Sequence, residues 1–302
     1  MTTAVSVREP AHSAGSKKFD WVTFLLVLAG IALVVFSLGR VVFLVVSQYE
    51  QEQANRAAIE RTAKNVAAWP SADQKQALEE AEAYNKTIDP ATHDLNIDHE
   101  GKDVNYFNVL DLGDSVMGSV SIPSISADVP IRHGSSDDVL SAGAGHLWGT
   151  DLPLGEDGDF SAISGHSGSV HGLFFTRVPE LKKGDFFYVT VLGKETGYKI
   201  DKIESVDPED TDALRKLYKP GEKARVTLVT CVPVGINTSR LLVSGVATGD
   251  VPPSSEAPGD PVWPWGVSLA IGGVALLALL IALVAWLVKR HRRLGKHAQS
   301  LS

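Results

Sequence analysis

The most informative stretch of this chain is VTLVTCVP, residues 226–233. Its β-branched residues predict a strand, and Pro233 should stop the pairing because proline cannot donate a hydrogen bond to a sheet. Cys231 is the one cysteine among 302 residues, so it cannot form an intramolecular disulfide. A thiol at the end of a strand is a candidate nucleophile. The alternative is a buried cysteine that packs as a small apolar residue.

Short β-rich runs bounded by Gly, Pro and Asp lie on both sides of this stretch. The candidate strands are residues 118–122, 128–132, 160–164, 186–192, 198–206, 225–230 and 241–247. Several short strands with little helix between them predict a closed barrel or a sandwich. Residues 116–249 are enough for one hydrophobic core, so we expect a single, mainly β domain there.

The segment before the barrel divides into two parts. Residues 47–87 are rich in Ala, Glu, Gln, Lys and Arg, which predicts helix, with a break at Pro70 that should start a second helix. Residues 88–115 are polar and irregular. A loop of that length is uncommon in a compact domain unless it is functional or disordered, so we interpret it as a lid-like loop.

Two apolar runs flank the whole region. Residues 21–39 and 265–288 carry no charged side chain, and each is long enough to cross a hydrocarbon layer of about 30 Å. They predict transmembrane helices at 21–46 and 263–288, which excludes a freely soluble cytosolic protein. A cleaved signal peptide is the alternative for the first run, but no Ala-x-Ala-like site follows it.

Positive charge next to the two runs predicts the topology. The tails 1–20 and 289–302 carry Lys and Arg beside the apolar runs, which is typical of cytoplasmic flanks. Residues 47–262 hold 34 acidic and 19 basic residues and should lie outside the cell. The linker 250–262 contains no Leu-Pro-x-Thr-Gly, so the second run is interpreted as a permanent anchor and not as a cell-wall sorting signal. The chain's net charge of −8 argues against nucleic acid as a partner.

A thiol nucleophile needs a proton partner, and histidine is the usual one. The candidates between the two runs are His93, His99, His133, His146, His166 and His171. His166 stands out because it follows the strand 160–164 between two glycines, where the backbone can approach closely. The other histidines are interpreted as structural or solvated. Residues 93–99 do not match a strong metal-binding pattern, so no metal is expected there.

Arg240 is the candidate for stabilising the oxyanion that forms when a thiolate attacks an amide. It lies nine residues after Cys231, beyond a turn at 233–238. If residues 241–247 return antiparallel beside the cysteine strand, Arg240 starts that strand level with the thiol. The alternative is an ordinary surface ion pair.

Several separated motifs resemble those of one enzyme family. TLVTC at 227–231 is similar to the nucleophile motif of sortases, and NTSRLLVSG at 237–245 resembles the class C, pilus-assembling branch. IRHG at 131–134, GHLWGT at 145–150 and SGHSG at 164–168 match in the family's order. The resemblance covers about residues 80–248.

The resemblance implies an eight-stranded sortase β-barrel with N-terminal helices, flanked by two transmembrane helices. It implies that Cys231 is the nucleophile, His166 the general acid and then base, and Arg240 the substrate-binding and oxyanion-stabilising residue. Family members cleave a Leu-Pro-x-Thr-Gly-like signal of a pilin or surface protein between Thr and Gly. A pilin lysine then resolves the thioester, without a cofactor.

One departure from the family pattern concerns the lid. Class C enzymes usually carry an Asp-Pro-aromatic motif that plugs the active site, whereas this chain has Asp89, Pro90 and Ala91. Either Tyr106 or Phe107 substitutes for the missing aromatic ring, or the lid does not occlude the thiol.

Three alternative functions remain. A sortase that anchors surface proteins to peptidoglycan is the nearest. A serine hydrolase would use Ser167, but Ser169 breaks the Gly-x-Ser-x-Gly pattern. A non-enzymatic adhesin or scaffold would require an inert Cys231.

Overall fold

The architecture was determined from a computed structural model. It describes residues 21–92, 102–113, 115–169, 172–210, 212–219, 221–251 and 254, with some positions between 272 and 284. Residues up to Val42 and from Ser268 onward belong to a different unit from Phe43–Val267, which contains the barrel.

The described part of the chain begins with two long helices, α1 at Trp21–Ala68 and α2 at Ser71–Asn85. The break at Pro70 lies where the sequence predicts it, because proline fits the start of a helix better than its interior. Asn85 ties α2 to the barrel. Its side-chain amide donates to the carbonyl of Leu152 at 3.0 Å and accepts from the Leu152 N–H at 2.8 Å.

Helix α1 contains a segment that could cross a membrane. By length and composition Leu28–Ala68 is suitable, and its most apolar part is not buried. This helix is therefore compatible with membrane anchoring. A signal sequence near the N-terminus would pass the same test. The second predicted span at 263–288 and both predicted tails lie largely or wholly outside the described residues.

A closed barrel of eight strands follows, which confirms the predicted fold class. The strands are β1 Val116–Ile122, β2 Ala127–His133, β3 Ala144–His146, β4 Phe160–Ser164, β5 Phe186–Val191, β6 Lys194–Val206, β7 Arg225–Val232 and β8 Ser239–Ala247. Their order around the barrel is β1-β2-β3-β4-β7-β8-β6-β5. Neighbouring strands are antiparallel except β2 with β3 and β4 with β7, which are parallel. The sequence missed β3, which has three residues.

The predicted loop 88–115 is partly helical. A short helix, α3, spans Val104–Asn108 because the Asp103 carboxylate accepts the backbone N–H of Tyr106 at 3.0 Å and caps it. A further short helix, α4, spans Asp137–Ala142 between β2 and β3. Residues 93–101 of the predicted lid lie outside the described part of the chain.

Candidate active site

Cys231 is the next-to-last residue of β7, at one end of the barrel wall. β7 pairs with β4 on one side and with β8 on the other. The thiol is free and half-buried. β7 stops one residue later, where residues 233–238 form an exposed turn. The nucleophile candidate therefore stands at an open strand end with neighbouring chain segments on both sides.

His166 follows β4 on the parallel side of Cys231. The last β4 pair is Ser164 with Val229, and the Gly165 N–H donates to the Val229 carbonyl at 3.0 Å. Beyond the end of β4, the hydroxyl of Ser167 donates to the Cys231 carbonyl, so the segment that carries His166 runs next to the nucleophile candidate. His166 is half-buried.

Arg240 lies on the antiparallel side. Cys231 and Arg240 are direct partners in the β7–β8 ladder, with Val232 opposite Ser239. Directly opposed residues have Cβ atoms about 4.5–5.5 Å apart and project to the same face. The guanidinium Nη1 donates to the Asn237 carbonyl at 3.4 Å. The predicted register of Arg240 is confirmed.

Two hydroxyl groups connect the His166 segment to β7 beyond the last strand pair. Thr230 Oγ1 donates to the Gly165 carbonyl at 2.8 Å. Ser167 Oγ donates to the carbonyl of Cys231 itself at 2.5 Å, and Ser167 is only 7% exposed. A buried hydroxyl engaged in this way is poorly placed to act as a nucleophile, which argues against the serine hydrolase alternative. The sequence analysis missed the contact with Cys231, although a hydroxyl directly after the candidate histidine was visible.

The segment that carries His166 is closely packed. A Cβ atom at Gly165 would lie 2.6 Å from the Phe175 ring. Gly168 has φ +71°, and a Cβ there would lie 3.0 Å from Val234 Cγ1. The His166 carbonyl also accepts the Phe175 N–H at 3.1 Å. These contacts explain why glycines flank the histidine.

A small apolar cluster, most of it buried, lies on the Cys231 face of the barrel wall. Its buried members are Phe160, Ala213, Leu217 and Leu242, with Val206, Leu214, Tyr218 and Val229 packed against them. Val229 and Leu242 are paired across β7 and β8, two residues from Cys231 and Arg240. Because side chains alternate along a strand, this pair lies on the same face as the thiol.

His133 and His146 serve a different purpose. Both are buried, and burial lowers the pKa of His146 to about 4 and also lowers that of His133. Nδ1 of His146 bonds with the Tyr106 hydroxyl at 2.9 Å, and its Nε2 donates to the Asp151 carbonyl at 2.8 Å. These histidines are structural, as the sequence predicts.

Tyr106 is committed to this buried cluster. The residue is 0% exposed, and its hydroxyl accepts the Gly134 N–H at 2.8 Å and contacts His146. Its ring packs edge-on against Phe107 and His133. The idea that Tyr106 substitutes as a plug over Cys231 is therefore wrong, because moving it would break the cluster.

The Asp-Pro pair at the start of the predicted lid lies against α2 and the segment before β4. Pro90 is buried and lines a cavity of about 400 Å³ together with Asn85, Asp151 and Tyr218. The Asp89 carboxylate accepts hydrogen bonds from the Ala91 N–H and the Thr92 hydroxyl, in its own turn. Among the residues that the structure describes, no group of three or more His, Cys, Asp or Glu side chains could hold a metal ion.

Comparisons with known proteins now give the family. A family model described as the sortase domain matches residues 120–248. The structure of sortase C1 of GBS pilus island 1 is 32% identical, with a TM-score of 0.60, over 68% of this chain and 97% of that chain. The chain belongs to the sortase family. Sortase C of Streptococcus pneumoniae is also similar, with 33% identity and a TM-score of 0.58 over 64% of this chain and 96% of that chain.

The matches to sequence relatives cover a smaller share of each relative's length than the matches to the solved structures do. This sortase is 31% identical to sortase A of Bacillus anthracis over 134 residues, which are 44% of this chain and 60% of the relative. The match thus spans about three fifths of that relative. Together the comparisons confirm the predicted resemblance to class C sortases. They also confirm the prediction that the chain belongs to a family of cysteine transpeptidases.

Proposed function

We propose that this chain is a membrane-anchored cysteine transpeptidase that joins a Leu-Pro-x-Thr-Gly-like sorting signal to an amine of a pilin. The observation that carries the proposal is the position of Cys231 at one end of the barrel wall, opposite Arg240 and next to the segment that carries His166. Nucleophile, proton donor and cationic hydrogen-bond donor are the three groups that acyl transfer through a thioester requires.

The first half-reaction acylates the enzyme. The Cys231 sulfur, as thiolate, attacks the Thr carbonyl carbon, and Arg240 donates hydrogen bonds to the oxygen that becomes negative. When the Thr–Gly C–N bond breaks, His166 gives its proton to the departing amine. The Leu and Pro side chains of the signal would pack near the half-buried Val229, which lies on the same face of β7 as the thiol.

The second half-reaction returns the enzyme to its starting state. A lysine amine attacks the thioester carbonyl carbon, the C–S bond breaks, and the amine's proton passes to His166. One amide bond is broken and one is formed, so neither ATP nor an oxidant enters the balance.

A transpeptidation assay tests this function. Full-length protein in lipid nanodiscs is incubated with a Leu-Pro-Glu-Thr-Gly peptide and a second peptide that has one lysine, and the products are analysed by mass spectrometry. We expect an isopeptide-linked product that Cys231→Ala does not make. Folded wild-type protein that makes no product with this or any amine would favour the adhesin or scaffold alternative. A product formed with a peptidoglycan stem-peptide amine, and not with the lysine peptide, would favour wall anchoring.

The proposed topology has both termini in the cytoplasm and residues 47–262 outside. Helix α1 supports the first anchor. Because Cys231 is the sole cysteine, a membrane-impermeant maleimide tests the topology at one site. Intact cells should label Cys231 directly. The control is Ser300→Cys in a Cys231→Ala background, which should label only after permeabilisation. Labelling of Ser300→Cys in intact cells would contradict the arrangement.

A further inference from the structure

We propose that Ser167 is a positioning residue for the acylation step, because its hydroxyl holds the peptide unit of Cys231 level with His166. This inference rests on the proposed transpeptidase function and adds a residue to it. Its basis is the hydrogen bond of 2.5 Å from Ser167 Oγ to the Cys231 carbonyl.

The strand pairing explains why such a contact is needed. β4 ends at Ser164, whereas β7 continues to Val232, so the β4–β7 ladder stops before it reaches the nucleophile. On its other side Cys231 has a regular partner, Arg240. On the His166 side, side-chain hydrogen bonds replace the strand pairing, and their donors are the hydroxyls of Thr230 and Ser167. Of the two, the Ser167 hydroxyl binds the nucleophile's own carbonyl.

The Ser167 hydroxyl is held in place by its own loop. Ser167 is 7% exposed, and its neighbour Gly168 donates its N–H to Thr176 Oγ1 at 3.0 Å. On the other side, the His166 carbonyl accepts the Phe175 N–H. The hydrogen bond to Cys231 thus starts from a backbone that is fixed at both flanking residues, so little freedom has to be lost when it forms.

The consequence concerns rate more than binding. Acyl transfer requires reacting atoms about 3–3.5 Å apart, and a displacement of 1 Å costs on the order of a hundredfold in rate. Without the Ser167 hydroxyl, the carbonyl of Cys231 loses a donor at the strand end, and the thiol is free to shift relative to His166. We therefore expect Ser167→Ala to lower the acylation rate about 10- to 100-fold, with KM changed by about twofold or less.

The experiment measures single-turnover acylation of full-length protein in nanodiscs by a Leu-Pro-Glu-Thr-Gly peptide, per molecule that is folded. The variants are Ser167→Ala, Ser167→Thr, which keeps the hydroxyl, and the matched control Thr227→Val. Thr227 lies on the same strand, and its hydroxyl bonds with the Ser244 hydroxyl at 2.9 Å, away from the thiol. Thr227→Val removes one hydroxyl of this buried pair. The variant protein should be less stable than wild type but should be acylated at the wild-type rate.

The outcomes distinguish a failure of the role proposed for Ser167 from a failure of the proposed transpeptidase function. The inference predicts a slow Ser167→Ala, recovery to within about threefold by Ser167→Thr, and a wild-type rate for Thr227→Val. It is overturned if Ser167→Ala acylates as fast as wild type, if Ser167→Thr is as slow as Ser167→Ala, or if Thr227→Val is equally slow. Wild-type protein that does not acylate at all overturns the transpeptidase function itself.

Discussion

Cys231 and Arg240 are direct partners across the antiparallel pair β7–β8, at the end of the barrel wall where both strands meet an exposed turn. The pairing fixes the backbone positions of the two residues relative to each other, and both side chains project from the same face. The segment that carries His166 follows β4, whose parallel pairing with β7 ends two residues before Cys231. The proposed chemistry therefore depends on strand register, which makes each of the three roles separately testable.

Replacing His166 by Ala should remove proton transfer to the leaving amine. General acid catalysis contributes about 10²- to 10⁴-fold, so we expect a loss of that size in kcat/KM for the peptide reaction. A good leaving group needs no proton, so acylation by an activated thioester of the same peptide should suffer much less. Equal losses with both substrates would argue that His166 has no role in proton transfer.

Replacing Arg240 by Lys keeps the positive charge and loses the planar fork that donates two hydrogen bonds at once. We expect about a 100-fold loss in kcat/KM. Arg225→Lys is the matched control, because Arg225 is at the other end of β7 and binds Asp201 in a bidentate pair at 2.8 and 2.9 Å. That control should lower stability and leave turnover per folded molecule unchanged. If Arg240→Lys retains most of its turnover, the bidentate geometry is irrelevant.

Removing the Tyr106 hydroxyl should destabilise the barrel. In Tyr106→Phe the Gly134 N–H and His146 Nδ1 lose their partner, which we expect to cost about 1–3 kcal/mol in the free energy of unfolding. Tyr198→Phe is the control, because the buried Tyr198 hydroxyl has no hydrogen-bond partner among the described residues. Thermal denaturation should therefore show a lower Tm for Tyr106→Phe and no loss for Tyr198→Phe. Equal Tm changes would contradict the distinction between the two hydroxyls.

Asp151 should make stability depend on pH. It is 5% exposed, and burial raises its pKa to about 7, although its carboxylate accepts the Phe160 N–H at 2.7 Å. The unfolded pKa is about 3.9, so between these pH values the folded state binds more protons. The free energy of unfolding contributed by Asp151 is therefore present below about pH 4 and is lost as the pH rises through about 7.

The neutral variant Asp151→Asn should remove this dependence. We expect the free energy of unfolding of Asp151→Asn to exceed that of wild type by about 2 kcal/mol at about pH 8. At about pH 4 the two proteins should have nearly the same free energy of unfolding. His146 has the opposite shift, but it is present in both proteins and cancels in the difference. Tm measured at the two pH values tests the prediction. A difference that does not change with pH would show that Asp151 does not titrate in this range.

The predicted lid-like loop should be tested with a replacement that leaves its buried residues in place. Removing residues 91–108 would remove the buried Tyr106, whereas replacing residues 93–101 by a Gly-Ser linker leaves it in place. The pair Asp89-Pro90 lacks a following aromatic ring, so we expect wild-type Cys231 to react readily with iodoacetamide and the variant only modestly faster. An increase of about a hundredfold, equivalent to about 2.7 kcal/mol of closure, would show that the loop is an effective plug.

Much of the fold and the arrangement of the site could be predicted from the sequence, for identifiable reasons. Strands β4 and β7 are regular β-rich runs with clear ends, and a short turn between β7 and β8 fixes the level of Arg240 opposite Cys231. Strand β3 was not predicted because Ala144–His146 is too short to show the alternation of apolar and polar residues that marks a strand.

Other features depend on contacts between distant segments. The burial of Tyr106 follows from its contacts with Gly134 and His146, which no local pattern reveals. The same holds for the bond from Ser167 to Cys231, which requires β4 and β7 to be parallel neighbours. Parallel neighbours are joined by long connections, so their register is not encoded in any single turn.

The central claim is that Cys231 carries the substrate as a thioester, and intact-mass spectrometry tests it most directly. Full-length wild-type protein incubated with a Leu-Pro-Glu-Thr-Gly peptide and no amine should gain the mass of the acyl fragment, and hydroxylamine should remove it. Cys231→Ala, with an unchanged Tm, should gain nothing. An adduct that persists in Cys231→Ala, or its absence from folded wild-type protein, would contradict the account.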